Sequence, residues 1–135
     1  MKKMFLFFFA IFVFVGCQSK SVTGEIISVN GGTYRNLAPT ELQSILNSKD
    51  FVLVNVHIPF AGNIPSTDLS IPYDQMEKNL SQLPSDKAAK IVLYCRSGRM
   101  SEIAAEKLVS LGYTDVWNLK GGMVDWEQAG FELER

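Results

Sequence analysis

KIVLYCRSGRMSEIAAEKLVSLG, Lys90 to Gly112, is the stretch on which the reading of the chain turns. It opens on Ile91-Val92-Leu93-Tyr94, a short apolar run of the kind that fills a strand covered on both faces. Its last part, Ser101 to Leu111, is amphipathic. There Ile103, Ala104, Lys107 through its stem, Leu108 and Leu111 recur at helical intervals, and Gly112 stands where a left-handed residue ends a helix. The stretch therefore reads strand, loop, helix, with Cys95 directly after the strand.

Only Arg96-Ser97-Gly98-Arg99-Met100 separates Cys95 from Ser101 at the start of the helix. In a tight loop feeding a helix N-terminus the backbone N–H groups lack helical acceptors and converge on whatever occupies the loop. The helix dipole favours negative charge at the same place. Arg96 and Arg99 add two full cations, and cations beside a helix N-terminus lower the pKa of a thiol. The pattern predicts Cys95 as a thiolate nucleophile, with Arg96, Ser97, Gly98, Arg99, Met100 and Ser101 as its cradle. A free cysteine at a strand end is often no more than a small buried hydrophobe; Arg-Ser-Gly-Arg directly after it argues for the reactive role.

CRSGRMS after a buried strand, joined to LKGGMVDWEQAGFELE from Leu119, resembles the single-domain rhodaneses, sulfurtransferases that carry sulfur as a cysteine persulfide. The resemblance spans Tyr34 to Glu134. It implies a three-layer α/β domain with a central, mainly parallel sheet of about five strands and helices on both faces. Where the family has Asp-Val-Arg, this chain has Asn55-Val56-His57 at the end of the strand Phe51 to Val56. That strand end lies near the cysteine loop in the family, so Asn55 and His57 become auxiliary site candidates. His57, the only histidine, could shuttle a proton beside the thiol, its unperturbed pKa being about 6.5; the alternative is a loop residue bonded to backbone. Where family members carry Gly-His-Ile-Pro-Gly-Ala, Gly62-Asn63-Ile64-Pro65-Ser66-Thr67 keeps only Gly62, Ile64 and Pro65.

A chain of 135 residues is long enough for one domain with a real core and too short for two. Its formal charge of -1 presents no basic face for nucleic acid. At the start, Met1-Lys2-Lys3 is a positive n-region and Met4 to Val15 an apolar h-region, shorter than the roughly 20 residues a spanning helix needs. The segment reads as an export signal, residues 1–16. Its ending Phe14-Val15-Gly16-Cys17 resembles the lipobox of bacterial lipoproteins, in which the cysteine is diacylated, although Phe14 replaces the usual leucine. Residues 17–24 then form a lipidated N-terminus and tether, and two acyl chains on Cys17 suffice for stable anchoring. The expected location is the bacterial cell envelope, facing the periplasm or the outer surface. With two cysteines in all and Cys17 modified, Cys95 has no partner for an internal disulfide.

Residues 25–135 form the domain. Glu25 to Val29, the turn Asn30-Gly31-Gly32 and Tyr34 to Leu37 make a hairpin. Pro39 opens a helix ending near Asn47, with Thr40 and Gln43 at capping-box spacing. Leu69 to Ile71 reads as a short strand, Asp74 to Leu83 as a helix capped by Asp74, and Asp115 to Leu119 as the last strand. Gly121-Gly122 point to close approach with another segment, the cysteine loop being the natural one, and Trp126 in the closing helix reads as a core plug.

A strand-to-helix loop at the carboxyl edge of a parallel sheet is where such sheets bind ligands. A thiolate there serves either phosphate ester cleavage or sulfur transfer. Cysteine phosphatases clamp phosphate with an arginine at the position held here by Ser101, which disfavours that class. The favoured mechanism has Cys95 attack the outer sulfur of thiosulfate while Arg96 or Arg99 holds the sulfonate. Sulfite leaves, and loop N–H groups hold the persulfide until cyanide or a thiol removes the sulfur. The partners implied are thus a small anionic sulfur donor, a nucleophilic acceptor and the membrane. No metal or organic cofactor is implied, since the chain has no histidine–cysteine cluster for zinc. The alternative is a non-catalytic rhodanese-like module that binds a partner or delivers sulfur in the envelope; an intact CRSGRMS favours catalysis.

Overall fold

The computed structural model describes Ile11, Val13, Gly16 and residues 21–135. The segment expected to be an export signal, apart from Ile11, Val13 and Gly16, and residues 17–20, with Cys17, therefore lie outside the described residues, and no described helix is long and apolar enough to cross a membrane.

Six strands, β1 (Glu25–Val29), β2 (Gly32–Leu37), β3 (Val52–Asn55), β4 (Leu69–Ser70), β5 (Ile91–Tyr94) and β6 (Val116–Leu119), form one sheet in the order β1-β2-β6-β5-β3-β4. The β1–β2 hairpin is antiparallel, and every other neighbouring pair is parallel. This is the expected α/β sheet with one more strand than anticipated. β5 lies in the interior, between β6 and β3, and all four of its residues are buried.

Strand alternation splits the core in two. Ile91 and Leu93 face one side, where Ala104, Ala105, Leu108 and Val109 of α2 (Arg99–Ser110) cover them; Val92 and Tyr94 face the other, under Leu42 of α1 (Pro39–Leu46) and Met123 and Trp126 of α3 (Gly122–Gln128). Helices on both faces follow from strands that are apolar on both faces. Trp126 is fully buried, and its indole N–H donates to the Glu132 carbonyl, which makes it the expected core plug.

Several local readings need correction. α2 begins at Arg99 rather than Ser101, with left-handed Gly98 before it. Its buried face is Ser101, Ala104, Ala105, Leu108 and Val109, while Ile103 and Lys107 point outward. At α1, Ala38 precedes the helix and its N–H donates to Glu41 Oε2, so Glu41, not the Thr40–Gln43 pair, closes the helix start. Asp74 to Leu83 is not one helix but two 3-10 segments, Tyr73–Gln75 and Glu77–Gln82, which meet at Met76; the second is kinked at Asn79, and neither has a side-chain cap. Met76 and Leu83 still reach the core from this tightly wound segment, so its apolar spacing serves a 3-10 path.

Candidate active site

Cys95 occupies the first position after β5, and its side chain is 1% exposed. Gly98, at φ +104, turns the chain so that its N–H donates to Cys95 Sγ at 3.0 Å. One turn into α2, the hydroxyl of fully buried Ser101 stands 3.5 Å from the same sulfur and 3.0 Å from the Gly98 carbonyl oxygen. A serine hydroxyl has one proton. With the oxygen acceptor nearer, the Gly98 amide is the principal donor to sulfur, and Ser101 becomes the second whenever it turns from that carbonyl.

The loop is gripped from behind. Met123 N–H donates to the Cys95 carbonyl and Val124 N–H to the Arg96 carbonyl, both at 2.9 Å, so free amides in the first turn of α3 hold the peptide units at Cys95 and Arg96. This needs a close approach that Gly122 permits: at φ +59, a Cβ there would overlap the Cys95 carbonyl oxygen and stand 2.7 Å from Arg96 C and O. The glycine pair thus meets the cysteine loop, as its position after the last strand predicts.

Cys95 opens into a cavity of about 280 Å³, with Arg96, Ser97, Arg99 and Met100 on its wall. The cradle anticipated from the sequence is brought together. Neither arginine forms an ion pair with a described residue, so both charges remain available to an anion. Two further lining residues, Tyr73 and Ile103, were not anticipated. Ile103 carried a signal in hindsight: beside Met100 on a helix whose buried face is elsewhere, an apolar residue at 43% exposure has something other than the core to line.

The two auxiliary candidates separate. His57 lines the cavity, and its Nδ1 is buried without a hydrogen-bond partner among the described residues. Burial, and then the Arg96 cation, hold its pKa below the ordinary histidine value. Asn55 is 2% exposed and faces away into the connection after β3: its Nδ2 donates to the Gly62 carbonyl and to Asn63 Oδ1, and its Oδ1 accepts the His57 N–H, each at 3.0 Å. Asn55 is a brace for the segment that carries His57. The same segment is held from β5 by Tyr94, whose hydroxyl accepts the Ile64 N–H at 3.1 Å and pairs with Thr67 Oγ1 at 2.7 Å. Burial pushes the Tyr94 phenol pKa up, so it stays protonated. Among the described residues, no group of three or more His, Cys, Asp or Glu side chains is arranged to hold a metal ion.

A buried cysteine at the carboxyl end of an interior parallel strand, in a strand–loop–helix turn whose Gly98 amide faces the sulfur, defines a thiol-centred α/β domain. Residues 38–129 match the family model of the rhodanese-like domain, and the chain belongs to that family. A sulfurtransferase of Allochromatium vinosum is 33% identical over 94 residues, 67% of this chain and 85% of that one. An uncharacterized protein of Synechocystis is 35% identical over 96 residues, 70% of this chain and 52% of the other, so the chain spans about half of that relative. A rhodanese-like domain protein of Staphylococcus aureus superposes with a TM-score of 0.60 at 30% identity, over 74% of this chain and 98% of that one.

Proposed function

We propose that the protein is a sulfurtransferase in which Cys95 takes a sulfane sulfur from thiosulfate or a related small anionic donor, holds it as a persulfide and passes it to cyanide or a thiol. The observation that carries this reading is Cys95 Sγ receiving the Gly98 N–H at 3.0 Å in a cavity whose wall Cys95 shares with Arg96 and Arg99. In the first step the Cys95 thiolate attacks the outer sulfur of thiosulfate, the S–S bond of the donor breaks, and its electron pair leaves with sulfite. Arg96 or Arg99 positions the sulfonate, and the Gly98 amide, with Ser101 turned towards the sulfur, supports the anionic persulfide. In the second step the acceptor attacks the outer persulfide sulfur and the Cys95 thiolate departs. His57, kept neutral near pH 7, adds no third fixed cation to this site.

The export signal and Gly16-Cys17 support a lipid-anchored form at the cell envelope, with the domain on the periplasmic or outer side. Thiocyanate production from thiosulfate and cyanide tests the activity: it should be saturable in thiosulfate and absent in Cys95→Ser. Equal turnover by the mutant would refute the assignment of the nucleophile. Labelling of Cys95 in a spheroplast by a membrane-impermeant maleimide tests the orientation, and protection until lysis would place the domain on the wrong side.

A further inference from the structure

Within residues 25–135 the exposed large hydrophobic side chains are Ile26, Ile58, Phe60, Ile103 and Val124; Ile103 and Val124 adjoin the Cys95 loop, and Ile58 and Phe60 follow His57 of its cavity directly in the chain. Ile103 lines the cysteine cavity itself. Val124 lines a second cavity of about 560 Å³, whose wall also includes Arg96, Ala61 and Leu133. Arg96 therefore lines both cavities. Ile58 and Phe60 lie on the short connection that runs from His57, on the first cavity, to Ala61, on the second; Phe60 is 64% exposed. A donor as small as thiosulfate uses only the first cavity. It leaves a larger adjoining groove and a rim of apolar side chains without a role. Isolated exposed apolar residues need no explanation, but a patch gathered around one nucleophile does.

We propose that this rim is a docking surface for a protein sulfur acceptor, namely an extended segment presenting a cysteine beside an acidic residue and an apolar one; the proposal rests on the sulfurtransferase reading of Cys95. The cysteine enters the first cavity, the carboxylate meets Arg96 on the wall of both, and the apolar side chain lies over Val124 and Leu133 with Phe60 as a flank. Charge complementarity selects the acidic residue, because Arg96 and Arg99 have no ion pair among the described residues. The concavity of the surface, with the reactive cysteine in its wall, favours an inserted peptide segment over a flat lipid surface. The transfer balances: the acceptor thiolate forms a bond to the outer persulfide sulfur, the Cys95 Sγ–S bond breaks, and its electron pair returns to Cys95 as the thiolate.

The test uses the full chain and two synthetic peptides, one with cysteine between glutamate and leucine, the other with lysine and serine in those places. After loading with thiosulfate, the acidic–apolar peptide should discharge Cys95 about tenfold faster than the other. Phe60→Ser should remove most of that advantage while discharge by 2-mercaptoethanol is unchanged, and Phe60→Leu should restore it. Binding of the serine analogue of the first peptide, read from the amide NMR signals of Phe60, Val124 and Leu133, involves no sulfur chemistry. It therefore decides docking even if Cys95 fails to load, an outcome that would count against the sulfurtransferase reading alone. Equal discharge by both peptides with no binding of the analogue overturns the proposal. Self-association, or adsorption to phosphatidylglycerol vesicles, that Phe60→Ser abolishes while peptide discharge and binding do not respond would assign the rim to another occupant and overturn it equally.

Discussion

Gly122→Ala gives the sharpest check on how the cysteine loop is held. A left-handed alanine costs about 1–2 kcal/mol relative to glycine. Gly122 has φ +59, near the left-handed minimum, so this backbone cost is at its low end there. The new methyl, however, would overlap the Cys95 carbonyl and crowd Arg96 C and O, which are main-chain atoms that cannot swing aside as a side-chain end would. Overpacking of that kind adds about 1–3 kcal/mol, for a total near 2–4 kcal/mol. Gly112→Ala is the matched control: its φ of +93 is no kinder to alanine, yet nothing lies within 4 Å of the added methyl. The gain from stiffening the unfolded chain is common to both substitutions and cancels in the comparison. Urea unfolding followed by the fluorescence of Trp117 and Trp126 measures both. Gly122→Ala should cost about 1–2 kcal/mol more than Gly112→Ala, and the folded mutant should show an altered rate of Cys95 alkylation. Equal costs would refute the claim that α3 and the loop are in obligatory contact.

Three further outcomes follow from the same geometry. Asn55→Asp, which restores the family residue, should destabilise the chain by about 2–3 kcal/mol in urea unfolding, because a carboxylate cannot donate to the Gly62 carbonyl and would be buried opposite it. Ser101→Ala should slow persulfide formation about tenfold by removing one donor near the sulfur, with little change in thiosulfate KM, as read by stopped-flow loading. Because the folded chain binds the His57 proton less readily than the unfolded one, that group's stabilising contribution is complete above the unfolded pKa of about 6.5 and is lost as pH falls through it towards the folded value. His57→Gln should flatten this part of the curve of urea midpoint against pH, and Arg96→Gln should raise the His57 titration in NMR; an unmoved titration would contradict the role given to the Arg96 cation.

What the sequence made legible was what neighbouring residues decide. Lys90 to Gly112 contains its own strand, loop and helix signals, and the close packing of Gly121-Gly122 on the loop could be inferred from two successive glycines leaving a strand. The misreadings have a common cause. Spacing identifies which residues recur, but only the sheet decides which side of a helix it covers, so Ile103 belongs to the helical repeat and yet stays outside the core that α2 fills with Ala104, Ala105, Leu108 and Val109. The 3-10 path through Met76 satisfies apolar contacts that a regular helix would also satisfy. In the sequence Asn55 reads as an auxiliary site candidate because its partners, the Gly62 carbonyl and Asn63, become neighbours only when the connection folds back. Tyr94 with Ile64 and Asn118 with Asn36 are joined by contacts across 30 and 82 positions, beyond any local pattern.

The central claim is that Cys95 accepts and holds sulfur. Intact mass of the full chain after incubation with thiosulfate, with Cys95→Ser alongside, measures this directly. The account predicts a gain of one sulfur atom that cyanide reverses and the mutant never shows; no gain from thiosulfate or from polysulfide would contradict it.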